Sequence, residues 1–174
     1  MIEALPTWRD EDYRYADLKA LARVWPTLGA PERIDVAAGE AGSLFIDALI
    51  PVDGVAVRAI DLHLGEGARF DLFALVSGAD YGRLAITATL AKGAHFEMGG
   101  AILGGGEQTL EIVSTIRHAQ PDATSHQVVR SVLAGRATGS FLGRIEVARD
   151  AQRTDAEQSV KAMLLDRTAT ANAR

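Results

Sequence analysis

The heptapeptide LGEGARF begins at Leu64, and the similar LAKGAHF begins at Leu90. Corners of the same kind begin at Val36, Ile116 and Val147. Successive corners are thus roughly 26 to 31 residues apart, a period typical of repeat architectures in which each unit stacks on its neighbours. A small residue recurs inside each corner, at Gly39, Gly67, Gly93, Ala119 and Ala151. Glycine suits such corners because it adopts positive φ without strain.

The segments between the corners alternate like short strands. Alternating residues point to one face of a strand, so we expect two sets to face inward and to stack on their equivalents in neighbouring rungs: Leu84, Ile86 and Ala88, and Leu110, Ile112 and Ser114. The pattern predicts a mainly β protein, a parallel β-solenoid over about residues 36–174, with Leu64 near Leu90. The alternative is a jelly roll or β-sandwich, in which short strands also follow one another at regular intervals.

The first 35 positions of the chain follow a different pattern. Apolar residues stand at helical spacing, and Pro26 then disfavours continuation; they are Tyr15, Leu18, Leu21, Ala22 and Trp25. The sequence predicts a helix at about residues 10–25 and a connector up to residue 35. We therefore divide the chain into an N-terminal helical segment, 1–35, and the solenoid, 36–174.

Composition excludes several classes of protein. The formal charge of −5 lacks the basic excess with which nucleic-acid-binding proteins neutralise phosphates. There is no apolar run long enough for a membrane span, and the N-terminus is acidic where a secretory signal is basic and then apolar. A cytoplasmic location is expected. The chain has no cysteine, so disulfides, thiolate metal sites and a cysteine nucleophile are excluded within it.

The stretch GRIEVARDAQRTDAEQSVKAMLLD, residues 143–166, contains conflicting signals. Thr154 and Glu157 form a capping-box pattern, which favours a helix from Asp155. Stacking on a solenoid would instead force SVKAMLL to be extended, with Ile145 and Val147 facing inward in the preceding rung. We expect the strand, because tertiary context overrides local propensity.

The same stretch resembles the signature of the SufB/SufD family of iron–sulfur cluster assembly proteins. The matching positions are Phe141, Gly143, Ile145, Val147, Ala151, Gln152, Thr154, Asp155, Ala156, Gln158, Leu164 and Leu165. Arg153 stands where the family usually has lysine, and Met163 takes the place of the first leucine. SHQVVRSVLAG also resembles a rung of the family, and LPTWRDEDYRYADLKAL resembles the N-terminal segment of SufD more than that of SufB.

The resemblance implies a right-handed parallel β-helix that acts as a non-enzymatic scaffold subunit. Its expected partners are SufB-like subunits and the SufC-like ATPase, and the full complex, not this chain, would handle the iron–sulfur cluster. In the family, a rung with a cysteine and a histidine and then a helical ATPase-docking domain follow the position of Arg174. No catalytic, cofactor-binding or metal-binding residue is therefore carried over to this sequence.

Several motifs permit other interpretations. His118 and His126 could be metal ligands, but such sites need three or four converging groups. GGAILGGGEQ lacks the lysine and hydroxyl residue of a phosphate-binding loop. A carbohydrate-active β-helix could use carboxylate pairs, such as Asp150 with Asp155 or Glu66 with Asp71; charged solvated corners explain them more simply.

Two features suggest contacts with other chains. Trp8, Tyr13, Tyr15 and Trp25 could form an aromatic partner site, although packing of the helix on the solenoid end is the simpler interpretation. An uncovered final rung would favour self-association, since it exposes apolar side chains and unpaired backbone amides. We expect a homodimer whose interface includes Val160 to Leu165 or the residues that follow.

Overall fold

The structure is a computed structural model that describes residues 5–174. Its only α-helix in that range is α1 (Leu18–Val24), and short 3-10 turns lie at Glu11–Tyr13 and Trp25–Thr27. The strands are β1 (Glu32–Val36), β2 (Ala41–Ile46), β3 (Val55–Leu64), β4 (Arg69–Val76), β5 (Tyr81–Leu90), β6 (His95–Gly104), β7 (Thr109–His118), β8 (Thr124–Leu133), β9 (Thr138–Val147), β10 (Asp155–Leu164) and β11 (Thr170–Ala173).

The strands form two sheets, and neighbouring strands within each sheet pair in parallel. Sheet A has the order β1-β3-β5-β7-β9-β11, and sheet B has the order β10-β8-β6-β4-β2. The chain passes from one sheet to the other with each strand, so that one strand of each sheet makes one turn of a β-solenoid of about five turns. Leu64 pairs with Leu90 in the ladder between β3 and β5, which confirms the predicted period and excludes the sandwich.

The core lies inside the solenoid between the two sheets. The inward positions stack in columns, and the residues predicted to face inward on β5 and β7 are all buried. Larger buried side chains fill the turns made by β3 to β6; they include Leu62, Phe70, Leu72, Phe96 and Met98. The apolar area removed from water here is the main source of stability.

The stacked corners before sheet B show why the sequence has glycine there. Gly39, Gly67 and Gly93 have φ of 72°, 65° and 64°, the left-handed region in which other residues are strained. The amide of Gly67 donates to the carbonyl of Lys92 in the next turn at 2.8 Å. In the last two corners the left-handed residues are Asp122 and Arg153, which form an ion pair. The assignment of Ala119 and Ala151 as the equivalents of these glycines was therefore wrong.

The predicted N-terminal helix is shorter than expected. Helix α1 begins at Leu18 because the side chain of Asp17 caps it, accepting hydrogen bonds from the amides of Lys19 and Ala20, both at 3.0 Å. The residues before Asp17 form a 3-10 turn, which removes Tyr15 from the helix. Leu21 is fully buried, whereas Ala22 is exposed.

The ambiguous stretch is extended, as predicted. Strand β10 pairs with β8 along its whole length, from Asp155 to Leu164, so stacking overrides the helix signal at Thr154 and Glu157. The register places Val147 in the column of His118, an inward position. Val147 is nevertheless 52% exposed, because β11 pairs only with Thr138–Phe141 and leaves the second half of β9 uncovered by it.

Candidate interaction surface

The N-terminal segment, residues 5–31, covers part of the outer face of sheet A. Leu21, Tyr13 and Trp25 of this segment pack against Val55 and Tyr81 on β3 and β5. The helix thus lies across the face of a sheet and not on the end of the solenoid, which corrects the packing expected from the sequence. Exposed ion pairs from Arg144 to Glu11 and Asp12 hold its start against β9.

Beneath this segment lies a buried charged cluster that the sequence analysis missed. Arg83 Nη1 lies 2.9 Å from Glu111 Oε1, and both side chains are almost fully buried. The Tyr81 hydroxyl donates to the Glu111 carboxylate, and the Tyr13 ring covers the guanidinium with its centroid 4.2 Å away. Burial is the largest single effect and acts to lower the pKa of Arg83, but the attractions of Glu111 and Tyr81, together with the hydrogen bond to Glu111, outweigh it, so this pKa is raised. Arg83 and Glu111 form an ion pair within the cluster, although Arg83 Nη1 and Glu111 Oε2 are buried without a hydrogen-bond partner. The Tyr13 ring over Arg83 joins the cluster to the N-terminal segment.

The outer face of sheet B carries no such covering among the described residues. The parallel register aligns its outward side chains in rows that cross the strands. We name four of them here: the acidic row (Asp71, Glu97, His126, Glu157), the central row (Phe45, Phe73, Gly99, Val128, Ser159), the basic row (Leu75, Ala101, Arg130, Lys161) and the outer apolar row (Leu103, Val132, Met163).

Large apolar side chains on this face remain in contact with solvent. Phe45 is 71% exposed, Phe73 is 49% exposed and Met163 is 60% exposed. Phe73 lies over Gly99, where a Cβ atom would approach the Phe73 ring to 2.7 Å. A larger residue at position 99 would therefore displace the Phe73 ring from its present position. Phe45 and Phe73 are neighbours in the central row, whereas Met163 lies apart from them in the outer apolar row. Contiguous exposed apolar surface marks sites of protein association.

The charges on the same face are partly segregated, although Arg69 and His95 lie beside the acidic row. Glu97 is the centre of the acidic row, with Arg69 Nη2 at 3.5 Å and one nitrogen each of His95 and His126 at 3.7 Å. In the basic row, Arg130 donates to the backbone carbonyl of Ser159 at 2.9 Å. Exposed ion pairs of this type contribute little to the free energy of unfolding. The arrangement of the charges therefore mainly affects which partners the face can bind.

The interior becomes partly polar in the later turns, which are built from β7 to β10. Ser114 on β7 donates across the interior to Gln127 Oε1 on β8 at 2.7 Å. His118 is fully buried, with Nε2 2.9 Å from Ser125 Oγ and Nδ1 3.2 Å from the Ala123 carbonyl. Because a carbonyl only accepts, Nδ1 carries the proton and Nε2 accepts from Ser125. Burial lowers the pKa of His118, against a smaller opposing effect of the Ala123 carbonyl and Asp155.

The metal-ligand hypothesis for His118 and His126 is wrong. His118 points into the solenoid, whereas His126 lies in the acidic row outside it, so the two rings cannot share an ion. Among residues 5–174, no group of three or more histidine, aspartate or glutamate side chains is arranged to hold a metal ion.

The two carboxylates of each pair lie on different elements, one in a corner and one on a strand. Asp150 lies in an exposed corner and Asp155 on β10, while Glu66 is an exposed corner residue 3.7 Å from Lys92 Nζ. Asp71 belongs to the acidic row and is 3.4 Å from Arg69 Nε. The stretch GGAILGGGEQ forms the end of β6 and the following corner, as expected for a solenoid. Of the four aromatic residues, Tyr13 and Trp25 pack together edge to face, and Trp8 is 66% exposed.

Comparison with known proteins agrees with this architecture. A protein-family model described as "SUF system FeS cluster assembly, SufBD core domain" matches residues 52–174, which is most of the solenoid. No curated protein sequence matches the chain. None of the helices within residues 5–174 is long and apolar enough to cross a lipid bilayer.

The structure defines the class of protein as a parallel β-solenoid. Its candidate ligand and catalytic side chains are dispersed over the described residues, and the outer face of sheet B offers a surface for association. The match over residues 52–174 is more specific. The chain belongs to the SufBD core domain family of the SUF system for iron–sulfur cluster assembly.

Proposed function

We propose that this chain is a SufD-like scaffold subunit of a SUF iron–sulfur cluster assembly complex. In this role it associates with a SufB-like subunit and a SufC-like ATPase in the cytoplasm and performs no catalysis of its own. The iron–sulfur cluster is the cargo of the whole complex and is not held by residues of this chain.

The observation that carries the proposal is the family match over residues 52–174. The signature at residues 141–165 supports the family, and the N-terminal sequence, which resembles SufD more than SufB, supports the finer assignment. The position of that segment is consistent with a structural role, since it covers part of sheet A and lies over Arg83 of the buried pair formed by Arg83 and Glu111.

The proposal is tested by co-expression of the tagged chain with the SufB-like and SufC-like proteins of the same genome. Affinity purification should recover all three proteins in constant proportion. Phe70→Asp places a charge in the apolar interior and is the control, because a chain that cannot form the solenoid should recover neither partner. Recovery of the folded chain alone, shown by its circular dichroism, would contradict the proposal. Hydrolysis of a polysaccharide by the purified chain would contradict the non-catalytic role.

A further inference from the structure

A cleft lies between the N-terminal segment and the outer face of sheet A. Its volume is about 730 Å³, which is within the range of roughly 300–1,000 Å³ that small-molecule sites occupy. Helix α1 and the residues after it form one wall, and strands β3 and β5 form the floor. The space is therefore large enough for a small organic molecule.

Two alanines on the floor keep the cleft open. Ala59 and Ala85 pair in register between β3 and β5, and both lie on the outer face of the sheet. On the same face, the larger Val55 and Tyr81 are buried against the N-terminal segment. The segment thus contacts the sheet at the larger side chains, whereas the alanines leave a space beneath it and remain partly exposed.

The lining of the cleft is mostly apolar and carries a single charged side chain. The wall from the N-terminal segment includes Leu21, Trp25 and Leu28, and Val57 adds to the floor. Arg83 is the only charged residue among those that line the cleft. An apolar cleft with one fixed charge favours a ligand that has an apolar body and one opposite charge.

Arg83 has hydrogen-bonding capacity that the protein does not use. Its side chain is only 4% exposed, and Nη1 is buried without a hydrogen-bond partner, although this atom lies 2.9 Å from Glu111 Oε1. A buried donor that lacks an acceptor is costly, so an acceptor supplied by a ligand would be favoured. The Tyr13 ring covers one face of the guanidinium. The N–H groups point along the plane of the guanidinium, where a carboxylate can accept two parallel hydrogen bonds.

The charges around Arg83 favour a monoanion. Glu111 already offsets part of the positive charge of Arg83, so a ligand with two negative charges would leave an excess of negative charge in the apolar cleft. An adjoining cleft shares Tyr13 and Arg83 but is also lined by Asp12 and Asp61, which repel anions. The apolar cleft has no acidic residue in its lining and is therefore the one that suits a carboxylate.

We propose that the apolar cleft binds a small organic monocarboxylate. The apolar body of the ligand lies on Ala59 and Ala85 beneath Trp25 and Leu28, and its carboxylate accepts hydrogen bonds from Arg83. This inference does not rest on the proposed function, because it concerns a ligand of this chain and not the association of the chain with other subunits.

Titration of the full chain with phenylbutyrate, followed by the shifts in its amide NMR spectrum, tests the proposal. Phenylbutylamine and phenylbutanol have the same apolar body, with a cation or a hydroxyl in place of the carboxylate. Phenylbutyrate should bind saturably and shift amides of α1, β3 and β5. It should bind at least about tenfold more tightly than either control, because only the carboxylate pairs with Arg83.

Two variants test the role of Arg83. Glu111→Gln keeps an acceptor for the Tyr81 hydroxyl but removes the negative charge beside Arg83, so it should tighten phenylbutyrate binding several fold. The double variant Arg83→Met/Glu111→Gln removes both buried charges together and should weaken binding at least about tenfold relative to the wild type. The matched control is Arg130→Met, which removes an arginine from sheet B and should leave the affinity unchanged.

Filling the cleft tests where the ligand binds. Ala85→Phe places a ring on the floor and should abolish saturable binding, although Arg83 and Glu111 remain. Circular dichroism shows whether each variant is folded. If the double variant does not fold, Glu111→Gln and Ala85→Phe still decide the question, since neither of them removes the arginine.

Three outcomes would overturn the proposal. The first is the absence of saturable phenylbutyrate binding. The second is equal binding of phenylbutyrate and phenylbutylamine, which would show that Arg83 does not select the charge of the ligand. The third is an affinity that Ala85→Phe leaves unchanged, since the ligand would then occupy another site. Co-purification with SufB-like and SufC-like subunits is a separate measurement, so either proposal can fail without the other.

Discussion

The early turns of the solenoid, built from β3 to β6, and the later turns, built from β7 to β10, have different interiors. The inward side chains are apolar in the early turns and partly polar in the later ones. One pair of inward columns runs Ile60, Ile86, Ser114 and Gly143 on sheet A, and it faces Leu72, Met98, Gln127 and Gln158 on sheet B. The backbone register does not change where the side chains change from apolar to polar. The backbone hydrogen bonds between the strands therefore fix the position of each inward residue, whereas the type of inward side chain can change from one turn to the next.

The difference has energetic consequences. In the early turns burial of large apolar side chains stabilises the fold, and their removal leaves cavities. In the later turns the polar groups must find partners inside the solenoid, because an unpaired buried group costs about 1–3 kcal/mol. Ser114 and Gln127 satisfy each other in part, although Gln127 Nε2 has no hydrogen-bond partner. The early turns should therefore contribute more of the free energy of unfolding.

The largest expected effect comes from a matched pair of truncations in one column. Phe96 on β6 pairs in register with Ser125 on β8, and both are buried. Phe96→Ala should lower the free energy of unfolding by about 3–5 kcal/mol, because it leaves a cavity. Ser125→Ala should lower it by about 1–2 kcal/mol, since it removes one hydrogen bond to His118. Urea denaturation measures both, and equal losses would contradict the comparison.

A double-mutant cycle tests the polar turn directly. Gln127→Met introduces the residue of the preceding turn and should cost about 1–3 kcal/mol, because the Ser114 hydroxyl loses its acceptor. Adding Ser114→Ala removes that unpaired hydroxyl and should recover at least about half of the loss. The four unfolding free energies are obtained from urea curves. Strict additivity of the two single changes would show that the hydrogen bond contributes nothing specific.

Substitution of a corner glycine should have a smaller effect on the free energy of unfolding, and this effect should come from backbone conformation alone. Gly93 has φ of 64°, and a Cβ atom there would meet no other atom within 4 Å. Gly93→Ala should therefore cost about 1 kcal/mol from backbone strain alone. The control is Gly105→Ala in the other set of corners, where φ is not left-handed and the space is also open. If thermal denaturation shows equal losses for both, the left-handed requirement at Gly93 is refuted.

The sequence predicted the features that repeat and missed those that depend on contact between distant segments. The recurrence of one corner motif at Leu64 and Leu90 predicted the ladder, because a regular period in sequence becomes stacking in space. The equivalents of Gly93 were misassigned because the later corners place Asp122 and Arg153 at the left-handed positions. The helix start depended on a single cap at Asp17.

The outer faces were the least predictable part. Arg83 and Glu111 stand at paired positions of β5 and β7, so their juxtaposition follows from the register. The sequence signal was a charged residue inside an otherwise apolar strand, RLAITATL or QTLEIVSTI. Nothing in the periodicity showed that the N-terminal segment would cover this pair, because that contact joins a helix to strands far along the chain.

The smallest expected effect is a pH dependence that belongs to the polar turns. His118 occupies the position of Leu90 in the preceding turn, and burial lowers its pKa from the ordinary value of 6.5. Unfolded His118 therefore takes up a proton near pH 6.5, whereas native His118 does so only at lower pH. The contribution of His118 to stability is complete above pH 6.5, decreases as the pH falls below it, and levels off below the native pKa.

The measurement compares urea denaturation of the wild type and of His118→Gln between about pH 7.5 and pH 5. The wild type should lose stability over this range relative to the variant, because glutamine does not titrate. His126→Gln is the matched control: His126 lies outside the solenoid in the acidic row, so this variant retains buried His118 and should keep its pH-dependent loss. If His118→Gln and the wild type change in parallel with pH, the buried imidazole is not a source of acid sensitivity, and the polar turns differ from the apolar ones in packing alone.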